Sequence, residues 1–252
     1  MKALTIQRKK YGVNIQEVYF AVDCLARINC DLSISFCVAS EGKNTTTALT
    51  SIIDLTQDSQ EILANFRLTH RRGIQACLDS SDLHYKFITY PSSKDIQCFC
   101  KVYDRFAKEK NLDPCNETKL RFFAGQEALI LTQVNCMNTG ELLCIHALIC
   151  NGERARLLHA VSNFRSYVDD STKRNHMSKI HRALYWFEMN HFKRLGYQIY
   201  DLGGLGDSNN PEFEKINYFK RGFGGEERRE YINFTPSTLK GWIAMLYIMR
   251  RL

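Results

Sequence analysis

The order of helix and strand patterns after residue 92 is the feature that most restricts what this chain can fold into. Two helical patterns come first, and three strand-like apolar runs, ALILTQVNC, ELLCIHALICNG and RARLLHAVSN, follow at close spacing. The sequences MNTG and NGER between these runs are typical of hairpin turns. A long helical pattern over residues 176–195, a strand, a helix beginning at Pro211, another strand and a terminal helix complete the order. This order predicts an α/β (α+β mixed sheet) fold with helices packed on the sheet.

The first part of the chain has a shorter pattern of the same kind. Residues 14–40 contain two strand-like runs, VYFAVDC and LSISFCVA, and TALTSIIDL is a third. Residues 56–80 have apolar side chains at the spacing of one helix, and the strand LHYKFITY follows. We therefore predict an amino-terminal β-α-β lobe over residues 1–91 and a larger domain over residues 92–252. The pattern leaves open whether residues 1–47 form a lobe of their own.

Two glycine clusters flank one basic and aromatic helix in the last quarter of the chain. The strand YQIYDLGG ends in Gly203 and Gly204, and the helix PEFEKINYFKRGF leads to Gly222, Gly224 and Gly225. Glycine is used where the backbone needs a positive φ or approaches another group closely. The clusters therefore predict a binding site beside this helix, with the second cluster turning the chain back into the last strand.

The charge and hydropathy of the chain bear on its partners and location. A formal net charge of +7 favours nucleic acid, a phosphorylated substrate or an anionic membrane as a partner, and it also fits a role in solubility. The amino-terminal sequence lacks an apolar export signal, and no stretch of roughly 18 apolar residues is present. We therefore expect a cytoplasmic protein without integral membrane association. The stretch GWIAMLYIMRRL is predicted to be a core-packed helix, with peripheral membrane contact as the alternative.

The ten cysteines of the chain lie mostly within apolar runs, as Cys37 and Cys144 do. In such runs cysteine behaves as a small buried apolar side chain in a reducing compartment. The paired Cys-x-x-Cys or Cys/His spacings of zinc sites are missing from the sequence. The sequence therefore predicts no metal site.

Three segments together carry a resemblance to a known superfamily. They are IIDLTQDSQEILANFRLTHRRGIQ, HAVSNFRSYVDDSTKRNHMSKIHRALYWFEMNHFKRLGYQIYDLGG and FKRGFGGE. With the order of elements above, they resemble the Gcn5-related N-acyltransferases (GNAT), and more narrowly the Fem-type branch, which builds peptidoglycan cross-bridges from aminoacyl-tRNA. The resemblance covers residues 48–235. It implies a GNAT-like acyltransferase fold with an abbreviated amino-terminal GNAT-like lobe.

Two departures from the family pattern concern the substrates. Fem-type proteins usually carry two full GNAT-like units, so the shortened first unit weakens the case for peptidoglycan as the acceptor. GNAT enzymes that use acetyl-CoA have a Q/R-x-x-G-x-G/A loop before the long helix, whereas FRSYVDDSTKRNHMSK contains no glycine. A CoA pyrophosphate would need side chains instead, and the candidates are Arg165, Lys173 and Arg174. The missing loop favours aminoacyl-tRNA as the donor, with acyl-CoA and acyl carrier protein as alternatives and no tightly bound cofactor.

Acyl transfer to an amine requires a neutral amine, close approach and a stabilised oxyanion. The sequence has no Ser/His/Asp or Cys/His signature, which fits direct attack on an activated donor. By resemblance, the lysine of FKRGFGG contacts substrate phosphate or stabilises developing charge, and this role falls on Lys220, with Phe219 in the same cleft. Asp201 is either a catalytic or amine-binding carboxylate or a turn residue. Tyr200 either binds substrate or packs in the sheet, and Gly203 and Gly204 would let a ligand approach the sheet.

Basic and histidine residues outside this segment are weaker candidates. Arg71 and Arg72 follow His70 in a helical pattern, where they bind tRNA or phosphate or simply complement the helix dipole. His159 and His146 lie in strands, where a satisfied interior histidine is more common than a base.

The resemblance implies transfer of an acyl or aminoacyl group to an amine of a sugar, nucleotide-sugar or cell-envelope precursor. Two other classes stay open at this stage. The chain is either a non-catalytic GNAT-fold module that binds RNA or a phosphorylated partner, or an N-acyl amino acid synthase supplied by an acyl carrier protein.

Overall fold

The structure is a computed structural model that describes residues 2–21, 29–163 and 170–250. In these ranges ten strands form one sheet, and seven helices pack on its two faces. The elements in chain order are β1 (Leu4–Lys10), β2 (Val13–Tyr19), β3 (Leu32–Val38), β4 (Thr45–Asp54), α1 (Ser59–Ala64), α2 (Leu68–Leu78), β5 (Leu83–Ile88), α3 (Ser93–Lys110), α4 (Glu117–Gly125), β6 (Leu129–Cys136), β7 (Leu142–Cys150), β8 (Arg154–Ser162), α5 (Ser171–Arg194), β9 (Ile199–Leu205), α6 (Pro211–Arg221), β10 (Glu226–Pro236) and α7 (Leu239–Met249).

The sheet has the strand order β1-β2-β3-β10-β4-β9-β8-β7-β6-β5. Its neighbours are antiparallel except for β2 with β3 and β8 with β9, so the predicted mixed sheet is confirmed. The last strand, β10, lies between β3 and β4, and β5 pairs with β6. One sheet therefore contains strands from both predicted segments, and the boundary after residue 91 stays a prediction.

Apolar side chains alternate between two helix layers along the central strands. On β6, Ile130 packs towards α1, α2 and α5, while Leu129 and Leu131 pack towards α3 and α4. The strands β2, β3 and β10 present Ile15, Ile34 and Phe234 to α7. The long helix α5 begins at Ser171, earlier than its pattern predicted, because the Asp170 side chain caps it by accepting from the backbone N–H of Lys173.

The single helix predicted over residues 56–80 is wrong, because the structure has two helices there. The first, α1, starts at an Asp58 capping box and ends at Ala64. At the junction the backbone N–H of Arg67 donates to the carbonyl of Gly222 at 2.8 Å. The partner of this bond lies far along the sequence, so the local helical pattern could not reveal the break.

The strand β1 was not predicted, although its sequence alternates. Leu4 and Ile6 are buried, but the basic residues that follow hide the pattern. A tight turn joins β1 to β2, and Tyr11 and Gly12 both have positive φ there, 51° and 77°. Two such residues in succession are typical of hairpin turns that match strand twist.

The second glycine cluster is a site of close backbone approach. A Cβ atom at Gly224, where φ is +65°, would overlap the carbonyl oxygen of Asn65 at the end of α1. A Cβ atom at Gly222 would overlap the His70 ring on α2. These glycines therefore let the end of α6 press against the α1–α2 junction before the chain enters β10.

We predict that Gly224→Ala destabilises the protein much more than Gly140→Ala. Both glycines have left-handed backbones, with φ of +65° and +70°, but a Cβ atom at Gly140 would meet nothing within 4 Å. Gly140→Ala should cost about 1 kcal/mol from backbone strain. Gly224→Ala should cost at least about 2 kcal/mol more because of the added overlap. Urea unfolding measures both variants, and equal losses would contradict the packing role.

Candidate functional site

The neighbouring parallel strands β8 and β9 separate part of the way along their length. They pair only where Arg154–Arg156 faces Ile199–Asp201, and in the described structure their remaining residues have no ladder pairing with each other. A cleft of about 660 Å³ opens there, lined by both strands and by α3, α5 and α6. A ligand in this cleft would reach the backbone in the middle of the sheet.

A β-bulge lies at the opening on β9. Thr50 of β4 pairs with Gly204 and Ile52 pairs with Asp201, so two β9 residues oppose one β4 residue. Gly203 in this bulge has a φ of +79°, and a Cβ atom there would lie 2.9 Å from the carbonyl oxygen of Leu157. Gly203 of the first glycine cluster therefore serves both the positive φ of the bulge and the close approach of β9 to β8.

The facing strand β8 has a bulge at the same level. Leu157 pairs with Leu148 and His159 pairs with Ala147, so Leu158 is an extra residue in the ladder. Both Leu157 and Leu158 line the cleft. Because each bulge interrupts its ladder, the two strands that border the cleft bend away from regular pairing.

Lys220 and Phe219 lie together on the cleft wall, as predicted from FKRGFGG. They belong to the last turns of α6, and Nζ of Lys220 donates to the carbonyl of Gly204 at 2.6 Å. Burial and, to a smaller extent, the charge of Arg156 lower the pKa of Lys220 to about 8, against the opposing effect of Asp201. Lys220 is therefore a cation at neutral pH that loses its proton within an accessible range.

Asp201 lies within a buried ionic network. Its Oδ1 accepts from the Thr50 hydroxyl at 2.5 Å and from the Gly203 backbone N–H at 2.8 Å. Its Oδ2 accepts from Arg154 and Arg156, each at 2.5 Å, and Arg154 also pairs with Glu230 at 2.6 Å. Burial alone would raise the pKa of Asp201, but the two arginines outweigh it, so the pKa lies below its usual value. Asp201 does not line the cleft, and both its oxygens are engaged in holding the bulge.

Tyr200 faces the other side of β9, where it joins a buried chain of polar groups. Its hydroxyl donates to Glu188 of α5, which also accepts from Thr132 and, at 2.8 Å, interacts with Nδ1 of His146. Nε2 of His146 lies 2.8 Å from Nε2 of His181, which lines the cleft. A hydrogen-bonded path thus runs from a fully buried carboxylate to the cleft.

His181 has the properties of a neutral imidazole. Burial is the main cause that places its pKa well below the ordinary value, and the neighbouring His146 and Arg182 lower it further. Its ring stacks on Phe219 with centroids 5.4 Å apart. His181 and Glu188 were missed in the sequence. The available signal was a carboxylate in the apolar stripe of α5, with His181, Tyr185 and Glu188 at one-face helical spacing.

Other predicted residues lie outside the cleft lining. Arg71 and Arg72 are exposed on α2. In the first turn of α5, Lys173 is exposed and Arg174 is half-buried. Arg174 is one helical turn before Ser178, which does line the cleft. Arg165 lies outside the described residues.

His70, a neighbour of the predicted arginines, has a visible packing role. It is buried, and its Nε2 lies 3.1 Å from the carbonyl oxygen of Phe219. Its ring packs edge-on against Phe223 with centroids 4.7 Å apart. Burial lowers the pKa of His70 to about 4, so the ring is neutral. His70 therefore anchors the end of α6 to α2 and so positions the residue that precedes Lys220.

Comparison with solved structures identifies the fold. The crystal structure of FemX aligns with a TM-score of 0.56 and 10% identity over 73% of this chain and 60% of FemX. The C-terminal domain of a putative lysylphosphatidylglycerol synthetase from Agrobacterium fabrum aligns with a TM-score of 0.58 and 12% identity, over 97% of this chain and 84% of that domain. L-PGS from Bacillus licheniformis aligns with a TM-score of 0.56 and 15% identity, over 98% and 85% of the two chains.

These likenesses confirm the resemblance seen in the sequence: the chain has a GNAT/Fem-like acyltransferase fold. At such low identity they establish the fold alone, and this chain spans 60% of FemX. No protein-family model and no curated protein sequence matches the chain. The assignment of chemistry therefore depends on the cleft itself.

We predict that Asp201→Asn lowers the free energy of unfolding by about 3–5 kcal/mol at neutral pH, since it leaves buried arginines without their partner. Because the folded-state pKa of Asp201 is depressed, its stabilising effect is present above the unfolded pKa of about 4 and is lost as pH falls through the folded value. The gap between wild type and variant should therefore shrink below about pH 4. Denaturant unfolding across pH measures it.

The exposed Asp113 supplies the control for this experiment. Asp113→Asn should change stability by less than about 0.5 kcal/mol at every pH. A constant gap between wild type and Asp201→Asn from neutral to acid pH would show that the charge of Asp201 is not what stabilises the bulge.

Proposed function

We propose that this chain is a transferase that moves an aminoacyl or acyl group from an activated donor to an acceptor in the cleft between β8 and β9. The observation that carries the proposal is the meeting of Lys220 and His181 in one cleft at the separated strands. One group is a cation and the other is a neutral base. Aminoacyl-tRNA is the favoured donor, and the acceptor is an amine of a sugar, nucleotide-sugar or cell-envelope precursor.

The hydrogen bonds of the buried chain define the protonation state we propose for His181. Glu188 accepts hydrogen bonds from the hydroxyls of Thr132 and Tyr200, so we assign it as an acceptor from Nδ1–H of His146 as well. With Nδ1–H of His146 directed at Glu188, we assign Nε2 of His146 as the acceptor from Nε2–H of His181. The unprotonated nitrogen of His181 is therefore Nδ1, for which the described residues provide no hydrogen bond. This is the tautomer that a general base requires.

Direct attack accounts for the transfer with these groups. The neutral acceptor nitrogen forms a bond to the donor carbonyl carbon, and the resulting oxyanion is stabilised by the ammonium of Lys220. His181 takes the proton that the attacking nitrogen must lose. It then returns that proton to the leaving oxygen as the carbon–oxygen bond of the donor ester breaks. The products are an amide and a free hydroxyl on the donor, with no net change in protons.

Two features support aminoacyl-tRNA over acyl-CoA as the donor. The segment before α5 contains no glycine, whereas a backbone cradle for a pyrophosphate usually needs several. The net charge of +7 and the exposed Arg71 and Arg72 provide attraction for a polyanion such as tRNA.

A hydroxyl on a lipid headgroup is a second candidate acceptor. The observation that favours it is the alignment of nearly the whole chain with the C-terminal domain of a putative lysylphosphatidylglycerol synthetase and with L-PGS, over 97% and 98% of this chain. The chemistry in the cleft would be the same, except that the attacking atom is oxygen and the product is an ester.

Lys220→Ala should reduce transfer by about 100-fold, because the developing oxyanion loses its cation. The assay uses tRNA charged with labelled amino acids, offered with amino-sugars, nucleotide-sugars or phosphatidylglycerol as acceptors, with ribonuclease pretreatment to confirm the donor. Lys94→Ala, at an exposed lysine of α3 outside the cleft lining, is the control and should keep full activity. Equal activity of wild type and Lys220→Ala would remove Lys220 from the mechanism.

The pH profile of kcat/KM should report the protonation of Lys220, and substitution of His181 should report its role as a base. Transfer should decline as pH rises through about 8, where Lys220 loses its proton, and Lys220→Arg should move this decline to higher pH. His181→Gln should lower kcat/KM by about 100-fold, whereas His84→Gln on the exposed side of β5 should not. An unchanged alkaline limb in Lys220→Arg would mean that another group controls it.

A further inference from the structure

The terminal helix α7 carries an apolar stripe that faces away from the sheet. Its inner side is fixed, because Met245 is buried and a Cβ atom at Gly241 would overlap the carbonyl of Asp31. Five large apolar side chains are nevertheless exposed at spacings of three and four residues, which places them on one outer face. With their exposed fractions they are Leu239 (78%), Trp242 (45%), Ile243 (62%), Leu246 (55%) and Tyr247 (52%).

The apolar surface continues from α7 onto the β1–β2 hairpin. A groove of about 480 Å³ lies between the helix and the hairpin, with Val13 and Ile15 on the hairpin side and Ile243 and Ile248 on the helix side. At the hairpin tip, Tyr11 is 92% exposed. The helix face, the groove and the tip together form the α7 surface, which is larger than isolated exposed apolar residues would produce.

Cations surround the α7 surface. Four of them are exposed: Lys9 and Lys10 on the hairpin, Lys240 on the helix and Arg250 after it. The nearby charge of Asp31 attracts Lys9 and Lys240. The nearby carboxylates are already engaged. Asp31 accepts from the Asn14 backbone N–H and the Thr238 hydroxyl, and Glu17 pairs with Arg8 and Lys119. The surface therefore combines apolar side chains with an excess of positive charge, since four cations face the single Asp31 carboxylate that no salt bridge of the described residues engages.

We propose that the α7 surface docks the protein on an anionic lipid bilayer. The helix is too short to cross a membrane, and among the described residues no helix is long and apolar enough to span one. Aromatic and aliphatic side chains framed by Lys and Arg are typical of helices that lie in the membrane interface. A second copy of this chain is a poorer occupant, because a two-fold contact would place the same cations opposite each other.

This inference does not depend on the proposed transfer reaction, because α7 and the hairpin contribute nothing to the cleft lining. The sequence predicts core packing for this helix, with peripheral membrane contact as the alternative. In the structure the inner side of α7 packs on the sheet, whereas its outer side is uncovered. Membrane contact is therefore the proposal for the outer side alone.

Flotation with lipid vesicles tests the proposal on the full chain. The protein should float with mixed phosphatidylglycerol–phosphatidylcholine vesicles in low salt, and much less with phosphatidylcholine alone or in high salt. Ile243→Ser with Leu246→Ser should weaken binding by at least about tenfold. Lys9→Glu with Lys240→Glu should remove the preference for anionic vesicles. Tryptophan emission should shift to the blue on binding, because the exposed ring of Trp242 leaves water. The other tryptophan, Trp186, is already buried and should contribute little to the shift.

Matched variants separate docking from general effects on folding or charge. Leu78→Ser with Leu112→Ser removes two equally exposed leucines elsewhere, and Lys94→Glu with Lys101→Glu reverses two exposed charges on α3. Both pairs should bind anionic vesicles as wild type does, and circular dichroism with melting temperatures verifies folding of all variants.

Three results would overturn the proposal. The first is failure of the wild type to bind anionic vesicles, and the second is equal binding by wild type and the Ile243→Ser, Leu246→Ser variant. The third is a stable dimer in light scattering that this same variant converts to monomers, which would assign the α7 surface to a second copy of the chain.

Discussion

The separation of β8 from β9 is the constraint on which the rest of the site depends. Parallel neighbours in a sheet normally stay paired, and here the buried Arg154 and the partly buried Arg156 of β8 hold Asp201 of β9 at the last paired position. Immediately beyond it, bulges on both strands interrupt their ladders. A buried carboxylate between two guanidinium groups fixes the point of separation, because moving either strand would expose unpaired charge to an apolar interior.

Both helix layers contribute to the cleft because it forms where the sheet opens. Phe106 of α3 approaches from one face, and His181 of α5 and Lys220 of α6 approach from the other. The position of α6 is in turn set by His70 and by the glycines that let its end touch the α1–α2 junction. Packing far from the cleft therefore determines where the Lys220 cation lies.

Burial lowers the pKa of both Lys220 and His181 in the cleft, but the two groups end in different charge states. Burial lowers the pKa of Lys220 towards neutrality, so a cation sits close to its point of proton loss. Burial also keeps His181 neutral, and the bond to His146 connects its far side to Glu188. The carboxylate in the described lining of the cleft, Glu212, is paired with Lys110 and Lys215. A cleft that holds a cation and a neutral base suits a reaction in which negative charge develops and one proton is moved.

Sequence periodicity determined the meander β6–β8, the long helix, and the β9–α6–β10 order, because these elements follow from local alternation of apolar and polar residues. The FKRGFGG segment also pointed to Lys220 and Phe219, which line the cleft, while their roles stay a prediction. Tertiary structure alone decided the break between α1 and α2, the role of Asp201 as a partner of two arginines, and the link from Glu188 through His146 to His181. Each of these depends on residues brought together from distant parts of the chain, so no local pattern encodes them. The outer face of α7 is the same kind of case, since composition predicts an apolar helix but only packing decides which of its sides the sheet covers.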